Sequence, residues 1–267
     1  MMFNIGIVNI SYDTVNTLGL AFESWERVKR EKLLSDLISN VYISSRHTCF
    51  PETFSLGYSL LSTDGTVQKL QELNSNGVID SLVIYDKPVE EQIAWSDNLP
   101  FLISNNVNLL WMVGSDEIFT VEDIEKILKF VKRNELTDIF KINFKNYFGF
   151  NKYTKSFIAP RIWNMTRNGG VKEFWKDDLV KFGNGKLDHE VSTITIPYNY
   201  CHPSHYSWSL PPNCGDEFNL NFQKRKLGFQ AKRYVNCSYK LSGKGELEYN
   251  KEYYQMIGQP VPEVYYD

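Results

Sequence analysis

Asn108-Leu109-Leu110-Trp111-Met112-Val113-Gly114-Ser115-Asp116-Glu117-Ile118-Phe119 is an apolar run of strand length that stops at Gly-Ser and then presents two adjacent acids. A continuous hydrophobic segment this short predicts a strand buried on both faces, as in a parallel sheet. The acids fall where such a strand leaves the sheet, and open α/β sheets bind ligands at the carboxyl ends of their strands. Carboxylates carried there on a rigid element suit a cation, with Asp116 as the candidate ligand.

Upstream the same pattern recurs. Phe3 to Ile10 reads as a first strand, broken at Ser11-Tyr12-Asp13, after which Val15, Leu18, Phe22 and Trp25 fall at helical spacing. Asn40 to Ser45 predicts a second strand, and Pro51 ends any extended ladder beyond it. Ser62-Thr63-Asp64-Gly65-Thr66 is a dense turn-and-cap cluster opening a helix with Val67, Leu70 and Leu73 on one face. Ser81 to Tyr85 predicts a third strand, and Glu90 to Ile103 a helix interrupted by Pro100. The opening stretch is thus the fourth strand of a β-α alternation, which argues for a mostly parallel sheet.

Downstream, Thr120 caps the best-defined helix, with Val121, Ile124, Ile127, Leu128 and Val131 as its buried stripe. Beyond it the alternation stops. Asp138 to Tyr147, Lys155 to Trp163 and Val191 to Tyr198 predict strands with no strong helix between them, so antiparallel members are expected. A basic helix is expected near Asp216 to Lys232, and an extended tail closes the chain.

Bulk properties exclude more than they assign. A net charge of −3 announces neither nucleic acid nor membrane as a general partner. Cys49, Cys201, Cys214 and Cys237 show no C-x-x-C spacing, so neither a zinc knuckle nor a redox pair is expected. No run reaches membrane-spanning length and the N-terminus lacks a signal-peptide pattern, so a soluble, cytoplasmic protein is expected. Aromatics reach 15% of the chain, a surplus that lines sugar- or base-binding grooves in some proteins and fills cores in most.

Three clusters in order, Ser62-Thr63-Asp64-Gly65-Thr66, Trp111-Met112-Val113-Gly114-Ser115-Asp116-Glu117 and His202-Pro203-Ser204-His205-Tyr206, carry a resemblance. Together they are similar to the nucleotide-sugar glycosyltransferases of the GT-A fold, in particular the large family 2 group. The likeness in order of elements runs over roughly residues 3 to 230. Two departures stand out: Gly114 occupies the place of the motif's first Asp, and no acid immediately precedes Ser62.

The resemblance implies a metal-dependent, inverting transfer of a sugar from a nucleotide sugar, with a UDP-sugar expected, to a hydroxyl acceptor. That acceptor would be a glycan or a hydroxylated nucleic-acid base such as modified DNA. Mn²⁺ or Mg²⁺ on Asp116, with His205 completing the shell, would neutralise the leaving diphosphate. Donor contacts fall on Asn9, Ser11, Tyr12, Asp64, Gly114, Ser115 and Glu117, with Lys224 as a clamp on the diphosphate. Acceptor contacts fall on Arg161 and Trp163, and the general base on Asp188 or Glu190.

Each residue also has a plainer reading. An acid pair after a strand serves as a helix-entry cap, a lone His is more often structural, and Arg161 suits a salt-bridged scaffold. Lys224, Arg225, Lys226, Lys232, Arg233 and Lys240 form a basic patch that fits a solvated face, a diphosphate clamp or a nucleic-acid track.

The expectation is therefore an α/β chain of GT-A type, a mixed, mostly parallel sheet flanked by helices. Residues 1–240 form one domain, with a nucleotide-sugar-binding half to 120, an acceptor-binding half to 240, and an extension at 241–267. A non-catalytic nucleotide-sugar binder and a nucleotidyltransferase are the competing classes. Against the latter, no glycine stands between Asn9 and Gly19 to form a phosphate loop.

Overall fold

Buried almost throughout, β1 (Phe3–Ser11) must satisfy its backbone on both sides with other strands. The computed structural model, which describes residues 2–149, 152–175, 179–206, 239–241, 247–249, 251–256, 261 and 263–266, shows how. Helix α1 (Val15–Arg30) follows β1 and turns Leu18, Phe22, Trp25 and Val28 inward. It returns the chain to β2 (Ile38–His47), which pairs with β1 in parallel.

Pro51 then opens a one-turn helix, α2 (Pro51–Ser55), at the position where its missing N–H costs nothing. The next helix, α3 (Thr66–Ser75), leads to β3 (Ser81–Ile84), parallel to β2. The helix expected around Pro100 is instead two short ones, α4 (Glu91–Ser96) and α5 (Leu99–Ser104). Proline sits in the first turn of α5, so it starts a helix and does not interrupt one.

The chain now crosses to the other side of β1 and enters β4 (Leu109–Met112), again parallel to it. The strand order β3-β2-β1-β4 therefore reverses direction between β1 and β4. After the short β5 (Glu117–Ile118), α6 (Val121–Arg133) is entered through a reciprocal cap between Thr120 and Asp123.

The remaining long strands are β6 (Ile139–Gly149) and β7 (Lys152–Asn164), and β7 runs antiparallel beside β4. A hairpin of β8 (Val171–Phe174) and β9 (Val180–Phe182) follows, then β10 (Thr193–Thr195), parallel to β6. The hairpin was not legible as strands; Val171, Phe174, Val180 and Phe182 bury against Trp163, Trp95 and Leu99. Mixed, mostly parallel α/β organisation with flanking helices is thus what the chain adopts.

Two compact units result, Met1–Asn143 with Ile158–Pro203, and Phe144–Phe157 with Ser204–Asp267. The first has a core on each face of its sheet. On one face Trp111 is fully buried, meeting Trp25 edge-on at 4.8 Å and Phe119 at 5.4 Å. On the other, Leu110, Met112 and Trp163 pack with α4, α5 and the β8–β9 hairpin.

In the second unit β11 (Ser204–His205) pairs with β6, and β12 (Tyr239–Leu241) with β13 (Leu247–Tyr249). A short helix spans Lys251–Met256, and β14 (Tyr265–Tyr266) pairs antiparallel with β7. The segment expected as an extended tail therefore carries paired strands and a helix. The basic helix expected near Asp216 to Lys232 lies outside the described residues. Among the described residues, no helix is long and apolar enough to cross a membrane.

Packing and capping predict different costs. Trp111→Ala removes a buried indole from an aromatic cluster and is expected to cost about 3–5 kcal/mol in urea unfolding. Thr120→Ala removes only the α6 cap, worth about 1 kcal/mol. Equal losses would refute the placement of Trp111 at the centre of that face.

Candidate functional site

Where strand order reverses, the helices leaving the two neighbouring strands diverge to opposite faces and open a crevice at the carboxyl ends. Here that point lies between β1 and β4. Asn9 and Ser11 end β1, and Ser115 follows β4. The Asn9 amide donates to the Val113 carbonyl (2.8 Å) and Ser115 Oγ (3.2 Å), while Ser115 Oγ lies 2.7 Å from Ser11 Oγ. Ser11 and Ser45 both donate to Asn9 Oδ1. All four are buried, so the three expected as donor contacts, Asn9, Ser11 and Ser115, bond one another where β1 and β4 end.

The acids that follow β4 play unlike parts. Gly114 to Glu117 is a turn closed by the Glu117 N–H on the Gly114 carbonyl (3.1 Å). The Glu117 side chain folds back, accepting the Gly114 N–H on Oε2 at 3.0 Å. Its Oε1 receives both Nε and Nη2 of Arg161 at 2.8 Å. With Glu117 only 1% exposed and Arg161 at 8%, this is a buried, charge-assisted pair. Glu117 and Arg161 were expected to touch donor and acceptor; instead they are spent on each other. Arg161 comes from β7, whose antiparallel pairing with β4 sets it beside the turn.

The glycine at 114 has a steric cause. A Cβ there would lie 3.0 Å from Asp116 Oδ1 and 3.1 Å from Glu117 Cδ. The space that an aspartate side chain would need is taken by the carboxylate of half-buried Asp116 together with the Glu117 side chain.

A second turn braces the entry to α1. Asp13, Thr14 and Val15 enter α1 with three successive backbone N–H groups that the helix cannot itself satisfy. Ser62 Oγ accepts from Asp13 (2.9 Å), Thr66 Oγ1 from Thr14 (2.8 Å) and Asp64 Oδ2 from Val15 (3.1 Å). Asp64 Oδ1 also takes the Thr66 N–H and hydroxyl. Asp64, expected at the donor, is therefore a carboxylate shared between two helix starts, where the macrodipoles favour it. Asp13 holds φ +51°, in the left-handed region, fixed by the Ser62 hydroxyl. Tyr12 donates to the Ser59 carbonyl and sets its ring beside His47, centroids 5.8 Å apart. Burial raises the Tyr12 phenol, so it stays protonated.

Beneath Ser62 lies a residue the sequence gave no reason to select. His47 Nε2 is 2.8 Å from Ser62 Oγ and accepts the Ser62 N–H at 3.3 Å. Its imidazole is fully buried and its pKa is lowered, chiefly by burial. A lone His after a strand carries no signal by itself; only its contact with the Ser62 turn marks it.

Other expected residues do not join this crevice. Trp163 is fully buried opposite Leu110, edge-on to Phe174 at 5.6 Å, which makes it core and not an acceptor contact. Asp188 and Glu190 stand in the turn before β10, accepting the Val180 and Leu187 N–H groups. That turn leads to Ser192, bonded to Asp138 at the start of β6, which lies level with Asn164 and Leu109. Leu109 begins β4, so the Asp188 turn enters from the sheet edge away from Asp116. Both, expected as the general base, are engaged there by backbone N–H groups. Burial raises the Asp188 pKa nonetheless.

His205 belongs to the second unit. Its Nδ1 is 2.8 Å from Asn146 Oδ1 and its ring stacks on Phe157 at 4.3 Å. Lys224 lies outside the described residues. Among the described residues, no three His, Cys, Asp or Glu side chains gather as a metal-holding group.

No family model and no curated protein matches this chain. Its fold is similar to that of several solved proteins. One is S. aureus TarS 1-349, 9% identical over 87% of this chain and 72% of that one, TM-score 0.48. Of a longer TarS chain it spans 42%. Another is the mannosyltransferase PcManGT from Pyrobaculum calidifontis, in complex with GDP-Man and Mn²⁺, at 10%, 89%, 77% and 0.42. A cytidylyltransferase from Leptospira borgpetersenii is 10% identical, with 61% of each chain covered and a TM-score of 0.35. These are likenesses of fold, and the chemistry rests on this chain's own residues.

The buried clamp predicts a hierarchy. Glu117→Ala leaves the Arg161 guanidinium buried without its carboxylate and is expected to cost about 3–5 kcal/mol by urea unfolding. Gly114→Ala crowds the turn and should cost about 1–3 kcal/mol. A neutral Glu117→Ala would contradict the clamp.

Proposed function

We propose that this chain is a glycosyltransferase of GT-A type, moving a sugar from a nucleotide-diphosphate sugar to a hydroxyl acceptor with inversion. One observation carries the reading: Asp116 is borne on a turn pinned by Glu117 and Arg161, at the reversal point between β1 and β4. That is where an α/β sheet receives a nucleotide.

The donor set suits a hard divalent cation. Glu117 is consumed by Arg161 and the Gly114 N–H, so the turn contributes a single carboxylate, Asp116. A cation with one carboxylate takes its remaining ligands from substrate phosphate oxygens and water, the usual habit of Mg²⁺ and also suited to Mn²⁺. Bound there, either ion would offset the charge developing on the departing diphosphate.

The chain's own part is positional. The buried Asn9–Ser11–Ser115 cluster fixes the spacing of β1 and β4. The Ser62–Thr66 turn fixes the entry to α1, so both are set before substrate arrives. The acceptor hydroxyl's proton needs a base other than Asp188 or Glu190, which are engaged by backbone N–H groups.

The test is a panel of nucleotide sugars with Mn²⁺ or Mg²⁺, read by thermal shift and by release of nucleoside diphosphate. Ligand binding raises the melting temperature by mass action. Asp116→Ala is expected to keep its circular dichroism and lose turnover by a factor on the order of 10² or more. EDTA should abolish activity and Mn²⁺ or Mg²⁺ restore it. Full turnover by Asp116→Ala, or in chelator, would overturn the assignment. Pyrophosphate release from a nucleoside triphosphate would make the chain a nucleotidyltransferase.

A further inference from the structure

We propose that His47 is a positioning residue for the entry to α1, holding Asp13 through Ser62 only while its imidazole is neutral. Its consequence for transfer rests on the donor-site reading above; its consequence for the loop does not.

The hydrogen-bond bookkeeping leads there directly. Ser62 Oγ accepts the Asp13 N–H at 2.9 Å, so its own proton must go elsewhere. The neighbour for it is His47 Nε2 at 2.8 Å. The same nitrogen accepts the Ser62 N–H at 3.3 Å. Two donors on one nitrogen require a lone pair, which puts the imidazole proton on Nδ1. That atom is buried with no hydrogen-bond partner outside its own residue. A second proton on Nε2 would meet the Ser62 N–H head-on and leave the hydroxyl proton without its acceptor.

The surroundings make this a relevant equilibrium. Burial lowers the His47 pKa, while the carboxylate of Asp64 on the turn pulls the other way. Asp13, between β1 and α1, carries the other carboxylate of this cluster, acting on Tyr12 and Cys49. Tyr12 and Cys49 stay neutral, because burial raises both. His47 is therefore the group of this cluster whose charge changes with pH, below the ordinary histidine range because of its burial.

The sign is fixed by that direction. The unfolded imidazole titrates near about 6.5, and the folded one lower. The latch is fully present above the unfolded value and is lost as pH falls through the folded one. Asp13 is the residue most exposed to that loss, because its left-handed backbone is tied down by Ser62.

The full-length chain tests this with two kinds of readout. Nitrogen-15 shifts of His47 should report the Nδ1–H tautomer at pH 7.5, and exchange of the Asp13 and Ser62 amides should accelerate as His47 protonates. His47→Gln supplies an amide oxygen as acceptor without titrating; it should keep those amides protected and flatten their pH dependence. His47→Leu and Ser62→Ala should each expose the Asp13 amide, on the order of tenfold faster. Where transfer is measured, the donor KM should rise on the order of tenfold in His47→Leu, with kcat nearly unchanged. An Nε2–H tautomer, or an unaltered pH dependence in His47→Gln, would overturn the proposal. Should no nucleotide sugar be turned over, the transferase reading fails and the tautomer and exchange data still decide the latch.

Discussion

A carboxylate buried to 1% exposure has to be compensated where it stands, and Glu117 is compensated from two directions at once. The Gly114 N–H closes on it from its own turn, and Arg161 reaches it from β7. That pair links the parallel half of the first unit's sheet to its first antiparallel strand. It also explains two features of one turn. Glycine suits 114 because the Asp116 carboxylate and the returning Glu117 side chain fill the space beside it, and Glu117 is turned away to Arg161.

The entry to α1 is organised by the same requirement applied to backbone. Three successive amides at the start of α1 lack helical partners, and the Ser62–Thr66 turn supplies a side-chain oxygen to each. That turn caps a helix far away in sequence as well as its own. Ser62 in turn bonds His47, a buried imidazole at the end of β2.

Much of this was legible beforehand wherever a pattern has a local cause. Strand and helix periodicity located β1, β2, β3, β4 and α6, because each buries a continuous or striped apolar surface. Pro100 was visible as a break, yet its position in the first turn of α5 depended on where packing started that helix. The β8–β9 hairpin was missed: its strands are three or four residues long and carry too little alternation to show. Asp116 lies, as the strand pattern implied, on the turn that follows β4. Asp64, Glu117, Arg161 and Trp163 are chemically apt for binding, and their type alone cannot reveal that a partner already occupies them.

The sequence by itself determined the α/β class, the strand that ends in Gly114–Glu117, and the turn-rich character of Ser62–Thr66. Those follow from burial periodicity and capping chemistry, which act over a few residues. Only the tertiary structure decided that β4 lies against β1, that Arg161 neutralises Glu117, and that Asp188 and Glu190 enter from the far edge. The reason is physical: hydrogen bonding and charge compensation between residues tens of positions apart depend on strand order and register, which local pattern does not encode. The apolar run that ends in two acids thus specified a strand and a turn, while the fold chose which of the two acids is buried against Arg161.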